Sequence, residues 1–308
     1  MYTITNEHLS ASINPVGAEL SSLKFHQQEF LWQGDPKIWA GRAPILFPIV
    51  GALKNNQMRY RDKHYQLNRH GFARTSTFDQ VMPEHIDSGG SNSGTTDAKT
   101  VQLSLLLASN PDTLKQYPWE FELRVHFQLH RYGIEIRYEV TNRDTDSMLF
   151  TIGSHPAFRL PVDNELSLKD YDVHFNKTES LTRLLLNDEG LLTEPGEDFP
   201  AHHNAIALDE HLFDQDALIF KNIQSDRVTL RCQQQPRLTV NTGGAPHIGL
   251  WAKPGAPYVC IEPWFGISDS VDSDGDFSNK PDLETLEPGE TFNHTISISL
   301  SESTVQIG

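Results

Sequence analysis

Short runs of alternating apolar and polar residues dominate the chain. The clearest is FELRVHFQLHRYGIEIRYEVTNRD at 121–144, where the alternation continues on both sides of a turn at Tyr132-Gly133. A period of two places successive side chains on opposite faces of a strand, so this stretch predicts a β-hairpin with one buried face. Similar alternation occurs in TVQLSLLLAS, DRVTLRCQQQ, PRLTVNT, PYVCIEP and TISISL. Strands that are separated by turn residues at this spacing are typical of an all-β sandwich or barrel.

Three segments lack a clear strand pattern. HLFDQDALIF at 211–220 fits a helical turn or two and fits a strand equally well, so the sequence leaves its structure open. The Gly/Ser/Thr-rich segment 85–99 and the acidic segment 186–204 are predicted as loops. Strands of the same character lie on both sides of each loop, so neither is a domain linker. All-β folds of this size occur as one unit, and we expect a single domain over residues 1–308.

The charge and composition of the chain limit the kinds of molecule that it can bind. A formal charge of −16 repels nucleic acids and anionic membranes, and no run of 18 apolar residues is present to cross a bilayer. The amino end has no secretory leader, so a cytoplasmic location is expected. Cys232 and Cys260 are interpreted as buried thiols in a reducing compartment. A neutral or phosphorylated small molecule is compatible with the charge, and the composition allows a monomer or a homodimer.

Two motifs place ionisable groups in unusual surroundings. In TIGSHPAFRLP at 151–161, Pro156 forces His155 out of a regular ladder, which favours an imidazole at a strand end. That histidine is either an acid or base near neutral pH or a turn cap. In PYVCIEPWFGISD at 257–269, Glu262 lies between apolar residues. It is either a buried carboxyl with a raised pKa, suited to a general base, or it is turned to solvent by strand alternation.

Two further segments contain positively charged side chains. LNRHGFART at 67–75 places Arg69, His70 and Arg74 around Gly71, where they either bind hydroxyl or phosphate oxygens or form a solvated turn. GRAPILFPIVGALKNN at 41–56 predicts a buried strand and a loop, with Lys54 as a candidate ligand-facing cation.

Metal and cofactor signals are weak. DSVDSDGDFSN at 269–279 resembles a calcium loop, but aligning Gly275 with the sixth position puts Pro281 twelfth, where a ligand is required. His126 and His130 are four residues apart on a predicted strand, which is not the helical face of a zinc protease. We expect neither a metal nor a cofactor.

Together, RHGFAR, GSHPAFRLP, DQDALIF and VCIEPWFGISD, in this order and followed by LEPGETFNHTISI, resemble the aldose 1-epimerase (galactose mutarotase) family, and most closely its LacX-like branch. The resemblance covers residues from about 10 to about 300. It implies a large antiparallel β-sandwich of the galactose mutarotase type and a cofactor-free interconversion of the α and β anomers of a hexose. A cleft across one sheet would bind the sugar.

The resemblance also implies roles for individual residues. Glu262 corresponds to the general base and His155 to the general acid. His70 would lie near the ring oxygen, and Asp216 would bind sugar hydroxyls. Independently of the resemblance, the chemistry of sugar binding suggests that Trp264 or Trp251 stacks against the apolar face of the ring.

One departure from the family pattern leaves the substrate open. Galactose mutarotases have an asparagine-arginine pair where this chain has GALKNN, with Lys54 near that position. The HGFAR form is shared with hexose-6-phosphate mutarotases, so Arg69 and Arg74 would then hold a phosphate. The alternatives are a hexose-6-phosphate mutarotase, a non-catalytic sugar-binding sandwich and, less favoured, a glycosidase with paired carboxylates.

Overall fold

The computed structural model describes residues 1–82, 101–161 and 166–301, and almost all of its regular structure is β-strand. The strands in chain order are β1 (Tyr2–Thr5), β2 (Leu9–Asn14), β3 (Glu19–Phe25), β4 (Gln28–Glu29), β5 (Ile45–Leu46), β6 (Gln57–Tyr60), β7 (Lys63–Gln66), β8 (Asp79–Val81), β9 (Gln102–Ala108), β10 (Phe121–His130), β11 (Gly133–Asn142), β12 (Met148–Phe150), β13 (Ile152–Ser154), β14 (Ala157–Arg159), β15 (Tyr171–Phe175), β16 (Leu181–Leu186), β17 (Leu192–Phe199), β18 (Ala205–Ala207), β19 (Leu218–Lys221), β20 (Arg227–Cys232), β21 (Gln235–Asn241), β22 (His247–Trp251), β23 (Tyr258–Phe265), β24 (Glu284–Leu286) and β25 (Thr291–Leu300).

The helical segments in the described part of the chain are short 3₁₀ turns. They cover Lys54–Asn56, Ala73–Thr75, Leu168–Asp170 and Phe277–Asn279. None of the helices in residues 1–82, 101–161 and 166–301 has the length and apolar character needed to span a bilayer.

Two large antiparallel sheets form the body of the fold. The nine-stranded sheet has the order β18-β15-β20-β21-β25-β11-β10-β9-β8. The eight-stranded sheet has the order β17-β16-β19-β22-β23-β13-β5, with β14 also paired to β23. Aromatic contacts such as Phe175–Phe220 and Phe265–Phe292 join the two sheets across one continuous apolar core. The predicted all-β sandwich is therefore confirmed, whereas its description as a single domain stays a prediction.

The hairpin predicted at 121–144 is confirmed. β10 pairs with β11 from Phe121↔Asn142 to His130↔Gly133, so the two-residue turn is Arg131-Tyr132, one position earlier than predicted. Val125 and Tyr138 are buried on the core face, because a period of two puts every second side chain of each strand against the opposite sheet.

The acidic loop predicted at 186–204 is wrong in its centre. Residues Leu192–Phe199 form β17, which pairs with β16 as the edge strand of the eight-stranded sheet. An edge strand is held by backbone hydrogen bonds on one side only, so it tolerates the charged and glycine-containing sequence TEPGED, which resembles a loop. The predicted loop at 85–99 lies outside the described residues.

The ambiguous segment 211–220 contains turns followed by a strand. Its last residues belong to β19 (Leu218–Lys221), which pairs with β16 and β22. Burial in the middle of a sheet decides the conformation here, since Leu218, Ile219 and Phe220 are all buried.

Candidate active site

The strand β23 of the eight-stranded sheet carries ionisable and aromatic side chains on one face, and its other face packs in the core. In β23, Val259 and Ile261 belong to the core between the two large sheets. Cys260, Glu262 and Trp264 alternate with them and therefore point to the opposite face. That face also carries Ile219 and Trp264 in a second, smaller apolar cluster. Glu262 is only 1% exposed, so the prediction of a buried carboxyl is confirmed and the solvent-facing alternative is wrong.

His155 lies at a break between two short strands that both pair with β23. β13 ends at Ser154 and β14 begins at Ala157, and Pro156 separates them. The His155 amide donates to Pro44 O at 3.1 Å, which continues the register of β13 with β5 by one residue and fixes the backbone of His155. The ring thereby reaches the carboxyl face of β23, and its Nε2 lies 3.3 Å from Oε2 of Glu262.

Aromatic rings enclose the His155 imidazole. Trp39 stacks on it with a centroid separation of 5.1 Å, and Trp251 meets it edge-on at 5.7 Å. His70 lies edge-on at 6.0 Å on a further side. This enclosure removes water from the imidazole, and burial lowers the pKa of His155 to about 3, with smaller contributions from the charges of Arg69 and Arg74.

Burial acts on Glu262 in the opposite direction. Desolvation raises the pKa of Glu262 well above its usual range, although the positive charge of Arg69 partly opposes this. Burial therefore favours a neutral carboxylic acid beside a neutral imidazole over the ionised pair. This form carries the same number of protons as a carboxylate beside an imidazolium, so the two differ only by a transfer across 3.3 Å. The pair can accept one proton from a ligand and return another.

His70 is held as a hydrogen-bond donor. The Gly51 amide donates to its Nδ1 at 3.0 Å, so in the neutral ring the proton is on Nε2. Desolvation, followed by the charge of Arg69, keeps the pKa of His70 well below its usual value. The backbone of His70 has a φ of 67°, and a Cβ on the following Gly71 would lie 2.2 Å from Phe47 O. The turn therefore requires glycine after a strained histidine, a feature that clusters at functional sites.

Two guanidinium groups and one carboxylate complete the polar wall. Arg69 NH2 lies 3.9 Å from Oδ2 of Asp216, and Arg74 donates to the carbonyl oxygen of Arg69 at 3.1 Å. Asp216 also has a positive φ, of 66°, and its Oδ1 accepts from the Ala217 amide. The Arg69–Asp216 separation is at the outer limit of an ion pair, so both groups keep bonding capacity for a ligand.

The indole of Trp264 lies flat against the sheet because the residues next to it on the neighbouring strands are glycines. A Cβ on Gly153 of β13 would lie 2.5 Å from the indole, and one on Gly249 of β22 would lie 2.6 Å from it. These strands flank β23 on its two sides. Glycine at both positions leaves the indole space to lie against the sheet, which suits stacking with the apolar face of a sugar ring.

These side chains line one cavity of about 310 Å³, which is within the usual range for small-molecule sites. Of the residues nominated from sequence, Glu262, His155, His70, Arg69, Arg74, Asp216 and Trp264 line it. Trp39 and Ser268, for which the sequence shows no sign of a role, line it too. Both lie in irregular segments without strand alternation, so only the tertiary structure brings them to the site. Trp251, suggested as a stacking residue, is also part of the wall.

Lys54 is placed elsewhere. It does not line this cavity but a separate depression of about 200 Å³, where its ammonium donates to Ser273 O at 3.0 Å. The geometry therefore does not support the prediction that Lys54 is a cation facing the ligand in this cavity. The short turn Lys54–Asn56 turns its side chain toward the loop that contains Ser273.

The same face holds a group of possible metal ligands. One atom each of His155, Cys260 and Glu262 lies within 4.8 Å of the other two, and all three residues are buried. The prediction that both cysteines are buried thiols is confirmed. This is the single such cluster of three in the part of the chain that the structure describes.

Comparison with known proteins agrees with this architecture. The aldose 1-epimerase family profile matches residues 1–299. Protein LacX of Lactococcus lactis subsp. lactis is 31% identical, over 96% of this chain and 98% of its own. The structure of a galactose mutarotase related enzyme from Lactobacillus acidophilus has a TM-score of 0.85 at 34% identity, covering 97% of both chains. A galactose mutarotase-like protein from Lactobacillus casei has a TM-score of 0.85 at 30% identity, covering 98% of this chain and 100% of its own.

The matches confirm the predicted galactose mutarotase-like sandwich and support a mutarotase or epimerase role, in an isomerase-type carbohydrate enzyme that binds a sugar. By sequence and by structure, this chain belongs to the aldose 1-epimerase family.

Proposed function

We propose that this protein interconverts the α and β anomers of an aldohexose by general acid-base catalysis, with Glu262 as base and His155 as acid. The observation that carries the proposal is the separation of 3.3 Å between the buried Nε2 and Oε2 atoms at the wall of a small-molecule cavity. A base and an acid at this distance can serve the C1 hydroxyl and the ring oxygen of one pyranose.

The proposed reaction moves two protons in each direction. The Glu262 carboxylate takes the proton of the C1 hydroxyl while the His155 imidazolium donates one to the ring oxygen. The bond from C1 to the ring oxygen breaks as the carbonyl forms. Rotation about C1–C2 and the reverse transfers close the ring on the other face.

Burial assists the opening step. Before opening, the pair is a carboxylate and an imidazolium; afterwards it is a carboxylic acid and a neutral imidazole. Desolvation favours the second form, because it raises the pKa of Glu262 and lowers that of His155. Arg69 and hydroxyl groups of the bound sugar would stabilise the ionised form at the start, and His70 would donate its Nε2 proton toward the ring.

Optical rotation tests the proposal directly. Fresh α-glucose or α-galactose should reach its equilibrium rotation faster with the protein than in buffer alone. Saturable sugar binding without any acceleration on hexoses or hexose phosphates would favour the non-catalytic sugar-binding alternative and would refute the proposed enzyme.

The pH dependence should reflect a pair that holds one proton over a wide range. Above the raised pKa of Glu262 the pair loses its only proton, so activity should fall on the alkaline side. On the acid side it should persist well below pH 6.5, because His155 takes up the second proton only near its pKa of about 3. Exchange rates between anomers, measured by NMR and corrected for buffer catalysis, give the profile. A rise with a midpoint near 6.5 would indicate an ordinary solvated histidine and contradict this prediction.

A hexose 6-phosphate is the second candidate substrate, because Arg69 and Arg74 both line the cavity. Two guanidinium groups beside one carboxylate make this wall locally positive, although the whole chain has a charge of −16. Guanidinium groups can bind phosphate with paired, charge-assisted hydrogen bonds.

The Arg74→Ala variant distinguishes the two substrates. If Arg74 binds a phosphate, kcat/KM for glucose 6-phosphate should fall by about 10- to 100-fold, which corresponds to a charge-assisted hydrogen bond, while the value for free glucose changes little. The Arg61→Ala variant is a matched control, since Arg61 is exposed, pairs with Asp146 and lies over the Tyr60 ring, and does not line the cavity. Equal losses on both substrates would make Arg74 a structural or general sugar contact.

A further inference from the structure

A thiol lies next to the proposed acid-base pair and takes no part in the proposed reaction. Cys260 precedes Glu262 by two residues on β23, so both side chains leave the strand on the same face. Cys260 does not line the cavity and is completely buried. The sulfur therefore lies close to the His155–Glu262 pair but outside the cavity wall.

The three ligand atoms lie close to the spacing that a zinc ion requires. Zinc bonds of about 2.0–2.3 Å at tetrahedral angles place nitrogen, oxygen and sulfur ligands about 3.3–3.6 Å apart. The observed separation of Nε2 and Oε2 is 3.3 Å, and no pair in the trio exceeds 4.8 Å. A shift of about 1 Å, within the reach of a side-chain rotation, would bring all three to tetrahedral spacing.

A second observation points to a ligand at this place. Nδ1 of His155 is buried and has no hydrogen-bond partner in the part of the chain that the structure describes, and Oε2 of Glu262 meets Nε2 of His155 at 3.3 Å without hydrogen-bond geometry. Buried polar atoms without partners are rare in folded proteins and call for an explanation. The Glu262 atom faces the imidazole across the position that a bridging ion would take.

We propose that His155, Cys260 and Glu262 form an inhibitory Zn²⁺ site. The three side chains supply nitrogen, sulfur and oxygen, and the fourth coordination position opens toward the sugar cavity, where water or a sugar hydroxyl can bind. Coordination deprotonates the thiol and the carboxylic acid and releases two protons to solvent. The dication then balances two buried negative charges, so the occupied site is neutral.

The ligand set determines the metal. A thiolate and an imidazole favour zinc over magnesium and calcium, which prefer oxygen ligands and higher coordination numbers. Inhibition follows because the metal would occupy both the carboxylate and the imidazole, and neither could then exchange a proton with the sugar. The inhibition rests on the proposed function, whereas zinc binding itself does not.

Calorimetry and cobalt spectroscopy test binding independently of activity. Chelator-treated wild-type protein should bind one Zn²⁺, and Co²⁺ in its place should give a thiolate-to-cobalt charge-transfer band. The Cys260→Ala variant should lose that band and bind Zn²⁺ at least about 100-fold more weakly, since even the outer partners of metal ligands contribute 10- to 100-fold. The Cys232→Ala variant is the matched control, because Cys232 is equally buried but belongs to β20 in the other large sheet.

The outcomes separate this proposal from the proposed function. Zinc binding that survives in the Cys260→Ala variant, with no thiolate band in the wild type, would assign the metal to surface groups such as the exposed His202 and His203 and overturn the proposal. A thiolate band in a protein that never accelerates mutarotation would support the zinc site and refute the enzyme. If the protein shows both the thiolate band and accelerated mutarotation, micromolar Zn²⁺ should suppress mutarotation in the wild type and in the Cys232→Ala variant. Mg²⁺ should not suppress it.

Discussion

Replacing Glu262 with glutamine is expected to lower kcat for mutarotation by about 1,000-fold, within the range that a general base contributes. The amide has nearly the same shape but accepts no proton from the C1 hydroxyl. Glu262 is 1% exposed and burial raises its pKa, which favours the neutral acid, so an uncharged replacement should leave the fold intact. Sugar affinity should change little, and kcat and kcat/KM should therefore fall together. Polarimetry with saturating sugar, together with a binding titration, measures these quantities.

A variant at a neighbouring position controls for disturbance of the cavity. Ser268→Ala changes another residue of the cavity wall, whose hydroxyl accepts from the Ala52 amide, and it should reduce kcat far less than Glu262→Gln. If the glutamine variant keeps more than a tenth of the wild-type kcat while binding sugar normally, Glu262 is not the base.

The largest expected change in stability comes from the Lys280→Met variant. The Lys280 ammonium lies 2.8 Å from Oδ1 of Asp269, and the two side chains are only 2% and 5% exposed. Methionine fills the space of the lysine stem but leaves a buried carboxylate without its counter-charge. Removing one partner of a buried ion pair typically costs about 3–5 kcal/mol in the free energy of unfolding. Urea denaturation followed by circular dichroism measures the loss.

Two comparisons distinguish burial from simple loss of charge. The exposed pair Lys115–Asp112 has a similar distance, 2.6 Å, but its side chains are 73% and 84% exposed, so Lys115→Met should leave the free energy of unfolding almost unchanged. Adding Asp269→Asn to Lys280→Met should recover much of the loss, because the amide oxygen can still accept from the Lys54 amide. Equal costs at positions 280 and 115 would contradict this explanation.

The sequence predicted the strands in which one face is buried and the other is polar. The hairpin at 121–144 and the last strand, β25, have this pattern, and the structure contains both. The sequence was not informative for β17, an edge strand whose middle is polar, or for β19, where tertiary contacts decide the conformation. The strands β1 to β3 were not predicted, although the burial of β2 alternates in the same way.

The site was predictable where one short motif places a side chain in an improbable environment. Glu262 among apolar residues and His155 before a proline are such cases, and the two lie 3.3 Å apart. Their catalytic roles stay predictions. Trp39 and Ser268 had no comparable local signal, and Lys54 carried a misleading one, because the direction of a side chain in a loop depends on contacts distant in sequence.

Because one face of β23 packs in the core and the other carries Glu262, this strand cannot gain or lose a single residue without harm. Inserting or deleting one residue in β23 before position 262 would exchange the two faces of the strand. Glu262 would then point into the hydrophobic core, and a core residue such as Ile261 would point toward the cavity. A single insertion or deletion would therefore destabilise the fold and disrupt the site together. Length variation among functional descendants of this chain should therefore accumulate in its connecting segments and spare this strand.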